Sequence, residues 1–223
     1  MKQRVDLFTP VHKAIRAILF ELGKELQSTN MSDNGERDAM LTKLTHLLEL
    51  LEEHARHEDE IIFPPIEKAC PGLTTESVEE HLAYDAKVNQ IHKLVNAIRT
   101  ADDMNERLHF TRQLRHQFAD FIAFYLMHMN HEEEAMLEAS IEHLTPQELI
   151  DIRLKVQLDT PPARYDEWLH WMLPALDLTE LVPLFKQVKV GAPESVYTKF
   201  KQIGKHSIDQ HRWSKLVKLA EVG

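Results

Sequence analysis

Apolar residues recur every three or four positions along most of the chain, which is the spacing of one face of an α-helix. Four long segments with this pattern predict helices over about residues 10–26, 36–63, 75–100 and 103–141. Pro64-Pro65 should break or kink the second of them. Because the connections are short, we predict an all-α, up-down-up-down four-helix bundle with a C-terminal helical extension.

The pattern changes after Pro146, where prolines divide the tail into short helical pieces. The tail has too few apolar residues for a large core of its own, so we expect it to pack on the bundle or on a partner. The predicted domains are therefore a bundle over residues 1–143 and a helical extension over residues 144–223. The prolines of the tail are Pro161, Pro162, Pro174, Pro183 and Pro193, and its largest apolar side chains are Trp168, Trp171 and Trp213.

Composition excludes several classes of protein. A net charge of -10 argues against a nucleic-acid partner, and a single cysteine, Cys70, excludes a disulfide framework and a thiolate zinc finger. No apolar run approaches the ~20 residues of a membrane helix, and the N-terminus lacks a signal-peptide pattern. We therefore expect a cytoplasmic location and no membrane contact. The one unusual number is the 14 histidines.

Several of these histidines interrupt the apolar stripes together with glutamates. On the second and fourth predicted helices, a histidine and a glutamate four residues apart occupy positions where leucine or isoleucine would be expected. This spacing places both side chains on one helix face, one turn apart. The first and third helices each contribute one histidine from their apolar face. The chain therefore contains two sets of two histidines and one glutamate. The six predicted metal ligands are His12, His54, Glu58, His81, His128 and Glu132.

Metal binding explains this set better than core packing does. Four imidazoles and two carboxylates buried without a cation would each carry a desolvation cost of several kcal/mol. Two divalent ions bridged by Glu58 and Glu132 would remove that cost. Mixed imidazole and carboxylate ligands suit iron or manganese, and the absence of thiolates makes zinc less suitable. We predict two metal ions, of iron or manganese, with positions left open for an oxo bridge, water or a diatomic gas.

Three further residues near the predicted ligands remain open as additional ligands. Asp85 follows His81 by one turn and could bind the metal or accept a hydrogen bond from an imidazole. His57 and His131 lie roughly 80° from the centre of each ligand pair, which favours a supporting or surface position.

The order and spacing of the six ligands resemble the hemerythrin-like, or HHE cation-binding, proteins over about residues 5–143. Residues 5–12 and 128–134 are similar to the iron-sensing hemerythrin domain of an F-box ubiquitin-ligase subunit. The resemblance implies a four-helix bundle, a carboxylate-bridged di-iron centre and a role linked to O2, NO or iron.

The sequence departs from the oxygen-carrying hemerythrins at two places. Those proteins have a His-x-x-x-His pair on the third helix, whereas Asp85 follows His81 here. Their fourth helix has a five-residue His-to-Asp spacing, whereas His128 is followed at four residues by Glu132. Fewer imidazoles and more carboxylates favour the ferric state, and this weighs against reversible O2 carriage.

We therefore expect a di-iron protein that binds or senses O2, NO or iron, and a binding protein rather than an enzyme. The alternatives are a di-iron oxidoreductase that reduces peroxide or NO, an iron donor for iron-sulfur cluster repair, and a bundle that the metal merely stabilises. The expected partners are a small diatomic ligand and, through the C-terminal extension, another protein or a second copy of the chain.

Overall fold

The computed structural model describes residues 5–221, and this part of the chain is helical, with no β-strand. Four long helices form the bundle: α1 (Thr9–Ser28), α2 (Asn34–His57), α4 (Thr75–Thr100) and α5 (Met104–Glu132). The prediction of an all-α, up-down-up-down four-helix bundle with a C-terminal helical extension is confirmed.

Two of the long helices continue through a short π-helical segment into a further α-helix. After α2, the first π segment (Glu58–Ile62) leads into α3 (Phe63–Ala69), and after α5, the second π segment (Glu133–Leu137) leads into α6 (Glu138–His143). Pro64 and Pro65 lie in the first turn of α3, where a missing backbone N–H is tolerated. The helical path therefore changes type near the prolines and then continues for another two turns.

Aspartate residues begin two of the bundle helices. Asp33 Oδ1 accepts a hydrogen bond of 2.9 Å from the backbone N–H of Glu36 at the start of α2. Asp103 Oδ2 accepts an equivalent bond of 2.9 Å from the N–H of Glu106 at the start of α5. Such caps satisfy N–H groups that lack a partner within the helix and so fix where each helix begins.

The internal contacts divide the chain into two compact units. The first comprises Ile18–Arg153 with the described residues up to Phe8, and the second comprises Thr9–Ala17 with the described residues from Leu154 onward. The division into domains 1–143 and 144–223 stays a prediction, and residues 1–4 and 222–223 lie outside the described part of the chain.

Leucine, isoleucine and aromatic side chains fill the core of the first unit. Phe118, Phe121 and Tyr125 of α5 are among its largest fully buried side chains. The same interior contains Glu58 and Glu132, whose exposed fraction is 0%. Two carboxylates without any exposure are unusual in a protein core and require a chemical explanation.

The second unit contains a hydrophobic core of its own, although the sequence predicted too few apolar residues in the tail for a large one. Most of it comes from α8 (Pro162–Ala175), α9 (Leu178–Gly191), α10 (Glu194–Ser207) and α11 (Gln210–Ala220), which follow α7 (Pro146–Asp159). Pro174 and Pro183 lie inside α8 and α9 and do not end them. The buried core residues are Leu169, Leu173, Leu176, Leu181, Phe185, Tyr197, Phe200, Ile203, Ile208, Leu216 and Ala220.

Candidate metal centre

The two predicted His/Glu pairs each lie where an α-helix changes into a π segment. Glu58 is the first residue of the first π segment, and Glu132 is the last residue of α5 before the second one. A π segment shifts the side chains that follow it around the helix, and such segments are frequent at functional sites. Each of the two His-x-x-x-Glu pairs is therefore accompanied by a π segment.

Four buried side chains from the first π segment, α4 and α5 form a first group of potential ligands: Glu58, His81, His128 and Glu132. One ligand atom from each lies within 4.8 Å of those of the others. The Nε2 atoms of His81 and His128 are 3.2 Å apart, and His128 Nε2 is 3.4 Å from Glu132 Oε1. Two imidazole nitrogens and two carboxylates thus converge on one position.

A second buried group consists of His12, His54 and Glu58, whose ligand atoms also lie within 4.8 Å of one another. Glu58 belongs to both groups: its Oε1 is 3.2 Å from His54 Nε2, and its Oε2 is 3.6 Å from His81 Nε2. Glu132 belongs to the first group only. The structure thus brings together all six residues predicted as ligands, in two sets that share one carboxylate, while their role as ligands stays a prediction.

The charges of these residues fit a divalent cation. Burial, and then the negative charge of Glu58, raise the pKa of the Glu132 carboxyl well above its usual range. A carboxylate in this position therefore needs a proton or a cation to offset its charge. The combination of imidazole nitrogens and carboxylate oxygens, with no thiolate in either group, is a donor set that iron and manganese accept.

Two further carboxylates orient the imidazoles of the first group. His81 Nδ1 lies 2.9 Å from Asp59 Oδ1, and His128 Nδ1 lies 2.8 Å from Glu80 Oε2. A hydrogen bond from Nδ1–H leaves Nε2 as the free donor atom and fixes the ring toward the metal position. Sequence reasoning missed both carboxylates, although each stands directly beside a predicted ligand: Asp59 follows Glu58, and Glu80 precedes His81.

Burial and the neighbouring carboxylates shift the pKa values of the two rings in opposite directions. Burial lowers the pKa of His81, but its hydrogen bonds to Asp59 and Glu58 outweigh this effect and raise the pKa to about 9. For His128 burial dominates, and its pKa is lowered despite Glu58 and the hydrogen bond to Glu80.

None of the three residues left open by the sequence joins either buried group. Asp85 is exposed, and His57 Nε2 lies 3.1 Å from Arg56 Nη2. His131 Nδ1 lies 2.9 Å from Glu80 Oε1, and together with Glu76 these side chains form a third group near the surface. Partly exposed carboxylates often gather without an ion, so this third group does not by itself indicate a site.

Comparison with known proteins matches residues 3–140 to the hemerythrin HHE cation-binding domain. F-box/LRR-repeat protein 5 of Mus musculus is 27% identical over 153 residues, and its counterpart in Bos taurus is 26% identical over 155 residues. These matches cover 68% and 69% of this chain but 21% and 22% of the relatives, so the chain spans about a fifth of their length.

A BRUTUS-like zinc finger protein of Arabidopsis thaliana is 23% identical over 192 residues, which is 85% of this chain and 15% of the relative. Within residues 5–221, no helix combines the length and the apolar character needed to cross a membrane.

Proposed function

The chain belongs to the hemerythrin HHE cation-binding family, and from that premise we propose that it holds two iron ions in the bundle and responds through them to O2, NO or iron supply. The observation that supports two ions is the position of Glu58, whose two oxygens face histidines of different groups. A carboxylate shared in this way is suited to bridging a pair of cations.

The proposed ligands divide unevenly between the two positions. His12, His54 and Glu58 would hold one ion, and Glu58, His81, His128 and Glu132 the other. When bound, an iron pair supplies one-electron redox chemistry and open positions for a diatomic ligand. The protein's own part is to exclude water around the buried carboxylates and to hold the imidazoles through Asp59 and Glu80.

The ligand chemistry favours a sensor over a reversible carrier. The first group contains two carboxylates and two imidazoles, and anionic oxygen ligands stabilise the more highly charged ferric ion. We expect O2 or NO to oxidise or bind the reduced centre once, with the resulting change in charge as the signal. The second unit, which extends beyond the residues matched to the family, is the proposed place where a protein partner or a second copy binds.

Stopped-flow mixing of reduced, iron-loaded protein with oxygenated buffer tests this proposal. A sensor should be oxidised once, with no recovery of the reduced spectrum when argon removes the O2. Metal-free protein carried through the same mixing is the control and should show no change. Full recovery under argon would identify a carrier, and sustained consumption of added peroxide or NO would identify an enzyme; either result would overturn the sensor.

A further inference from the structure

Tyr125 is a fully buried phenol whose hydroxyl makes no hydrogen bond to any group in residues 5–221. Its ring packs edge-on against the rings of His128 and Tyr84, with centroids 5.5 Å and 5.7 Å apart, and at a tilt against the ring of Phe121, at 5.7 Å. A buried hydroxyl without a partner loses its hydrogen bonds to water and gains nothing in return. This arrangement therefore needs a reason other than packing, because phenylalanine would pack equally well.

The position of Tyr125 on α5 points to the metal centre. It precedes His128 by one helical turn and Glu132 by two, so all three side chains share one face of the helix. A phenol is protonated at neutral pH, so the Tyr125 hydroxyl is available as a hydrogen-bond donor on the helix face that carries both residues.

Tyr84 provides a comparison within the same aromatic cluster. Its ring contacts that of Tyr125, and it follows His81 on α4 by three residues, just as Tyr125 precedes His128 by three. However, the Tyr84 hydroxyl donates a hydrogen bond of 3.2 Å to the backbone oxygen of Leu48. Of these two neighbouring phenols, one is satisfied by the protein and the other is not.

We propose that the Tyr125 hydroxyl is the hydrogen-bond donor for the small ligand that the centre takes, a diatomic molecule or small anion with a lone pair on oxygen or nitrogen. This inference rests on the proposed function, because the ligand is held by the metal. The buried rings of Phe121 and Tyr84 contact Tyr125 and leave room only for a small ligand. The hydroxyl then favours a ligand that accepts a hydrogen bond. Tyr125 thus acts as a specificity residue and not as a metal ligand.

Azide binding to the iron-loaded ferric protein tests this role, with the absorption spectrum as the measure of binding. Tyr125→Phe should weaken azide affinity about fivefold to tenfold, as expected for the loss of one hydrogen bond. Tyr84→Phe is the matched control and should leave the affinity unchanged. Iron content, measured first, should be two ions per chain in all three proteins.

Thermal unfolding of the metal-free proteins gives a second, independent measurement. Tyr125→Phe should unfold at the same temperature as the wild type or higher, because it removes an unpartnered hydroxyl. Tyr84→Phe should unfold at a lower temperature, because it removes the bond to Leu48.

Equal azide affinities for wild type and Tyr125→Phe, in proteins that both contain iron, would overturn this inference alone. So would a loss of stability in metal-free Tyr125→Phe as large as that in Tyr84→Phe, since the hydroxyl would then have a partner within the protein. A wild-type protein that takes up no iron would overturn the proposed function, and the inference would fall with it.

Discussion

Glu58 and Glu132 occupy equivalent positions in two matching stretches of sequence, yet their surroundings differ. Glu58 has a histidine near each of its oxygens and belongs to both ligand groups, whereas Glu132 belongs to one. The sequence predicted two bridging carboxylates because both helices contain the same local motif, His-x-x-His-Glu. Which of them faces two sets of ligands depends on the packing of all four helices, and no spacing within one helix contains that information.

The histidines predict how the metal-free protein responds to pH. His81 has a pKa of about 9 in the folded state, above the 6.5 of a free histidine, so its protonation stabilises the fold. This contribution is complete below pH 6.5 and is lost as the pH rises through about 9. The raised pKa of Glu132 acts in the same direction, and the lowered pKa of His128 opposes both only below pH 6.5.

We therefore expect the free energy of unfolding of the metal-free protein to fall by about 1–3 kcal/mol between pH 6.5 and 9. Chemical denaturation at a series of pH values measures it. The iron-loaded protein is the control and should change less, because a cation takes the place of the proton at these groups. Constant or rising stability of the metal-free protein over this range would show that His81 is not held protonated.

At the scale of helices, the sequence predicted the long elements and the ligand-bearing stripes, since both follow from a period of 3.6 residues. It did not predict the π segments that adjoin Glu58 and Glu132, because π segments have no comparable repeat. Asp59 and Glu80 were missed for a related reason: each orients a histidine of another helix, and that pairing arises only on packing. Counting apolar residues in the tail likewise overestimated how many large side chains a core needs, because a small number of them packs around Phe185.

Close helix contact in the second unit gives a prediction at this scale. A Cβ atom at Gly204 of α10 would lie 2.8 Å from Phe185 Cζ and 3.0 Å from Trp213 Cζ3. Gly204→Ala should therefore displace these rings and destabilise the second unit by about 1–3 kcal/mol. Urea unfolding followed by tryptophan fluorescence reports on this unit, since Trp168, Trp171 and Trp213 all lie in it.

Gly191→Ala is the matched control for this substitution. Apart from its own helix backbone and chain neighbours, no atom of residues 5–221 lies within 4 Å of a Cβ built at Gly191, so the same chemical change should have little effect there. Equal stability of the two variants would mean that α10 can move away from Phe185 without cost.

At the scale of the whole molecule, the family match includes Thr9–Ala17 of the second unit but none of its residues from Leu154 onward. The match to the HHE cation-binding domain covers residues 3–140, whereas the second unit includes all the described residues from Leu154 onward. The alignments with the F-box relatives cover about two thirds of this chain, and the alignment with the BRUTUS-like relative covers 85% of it. The proposed metal ligands therefore all lie in the part shared with the family, and any partner specific to this chain is expected to contact the remainder.

The central claim is a pair of iron ions that share Glu58, and iron content per chain tests it most directly. Elemental analysis should find two ions in the wild type and in His116→Ala, a control that changes an exposed histidine of α5. Glu58→Ala should lose both ions, and His12→Ala should retain one, because His12 belongs to one group only. A wild-type protein with a single ion at full occupancy, or Glu58→Ala with two, would contradict the account.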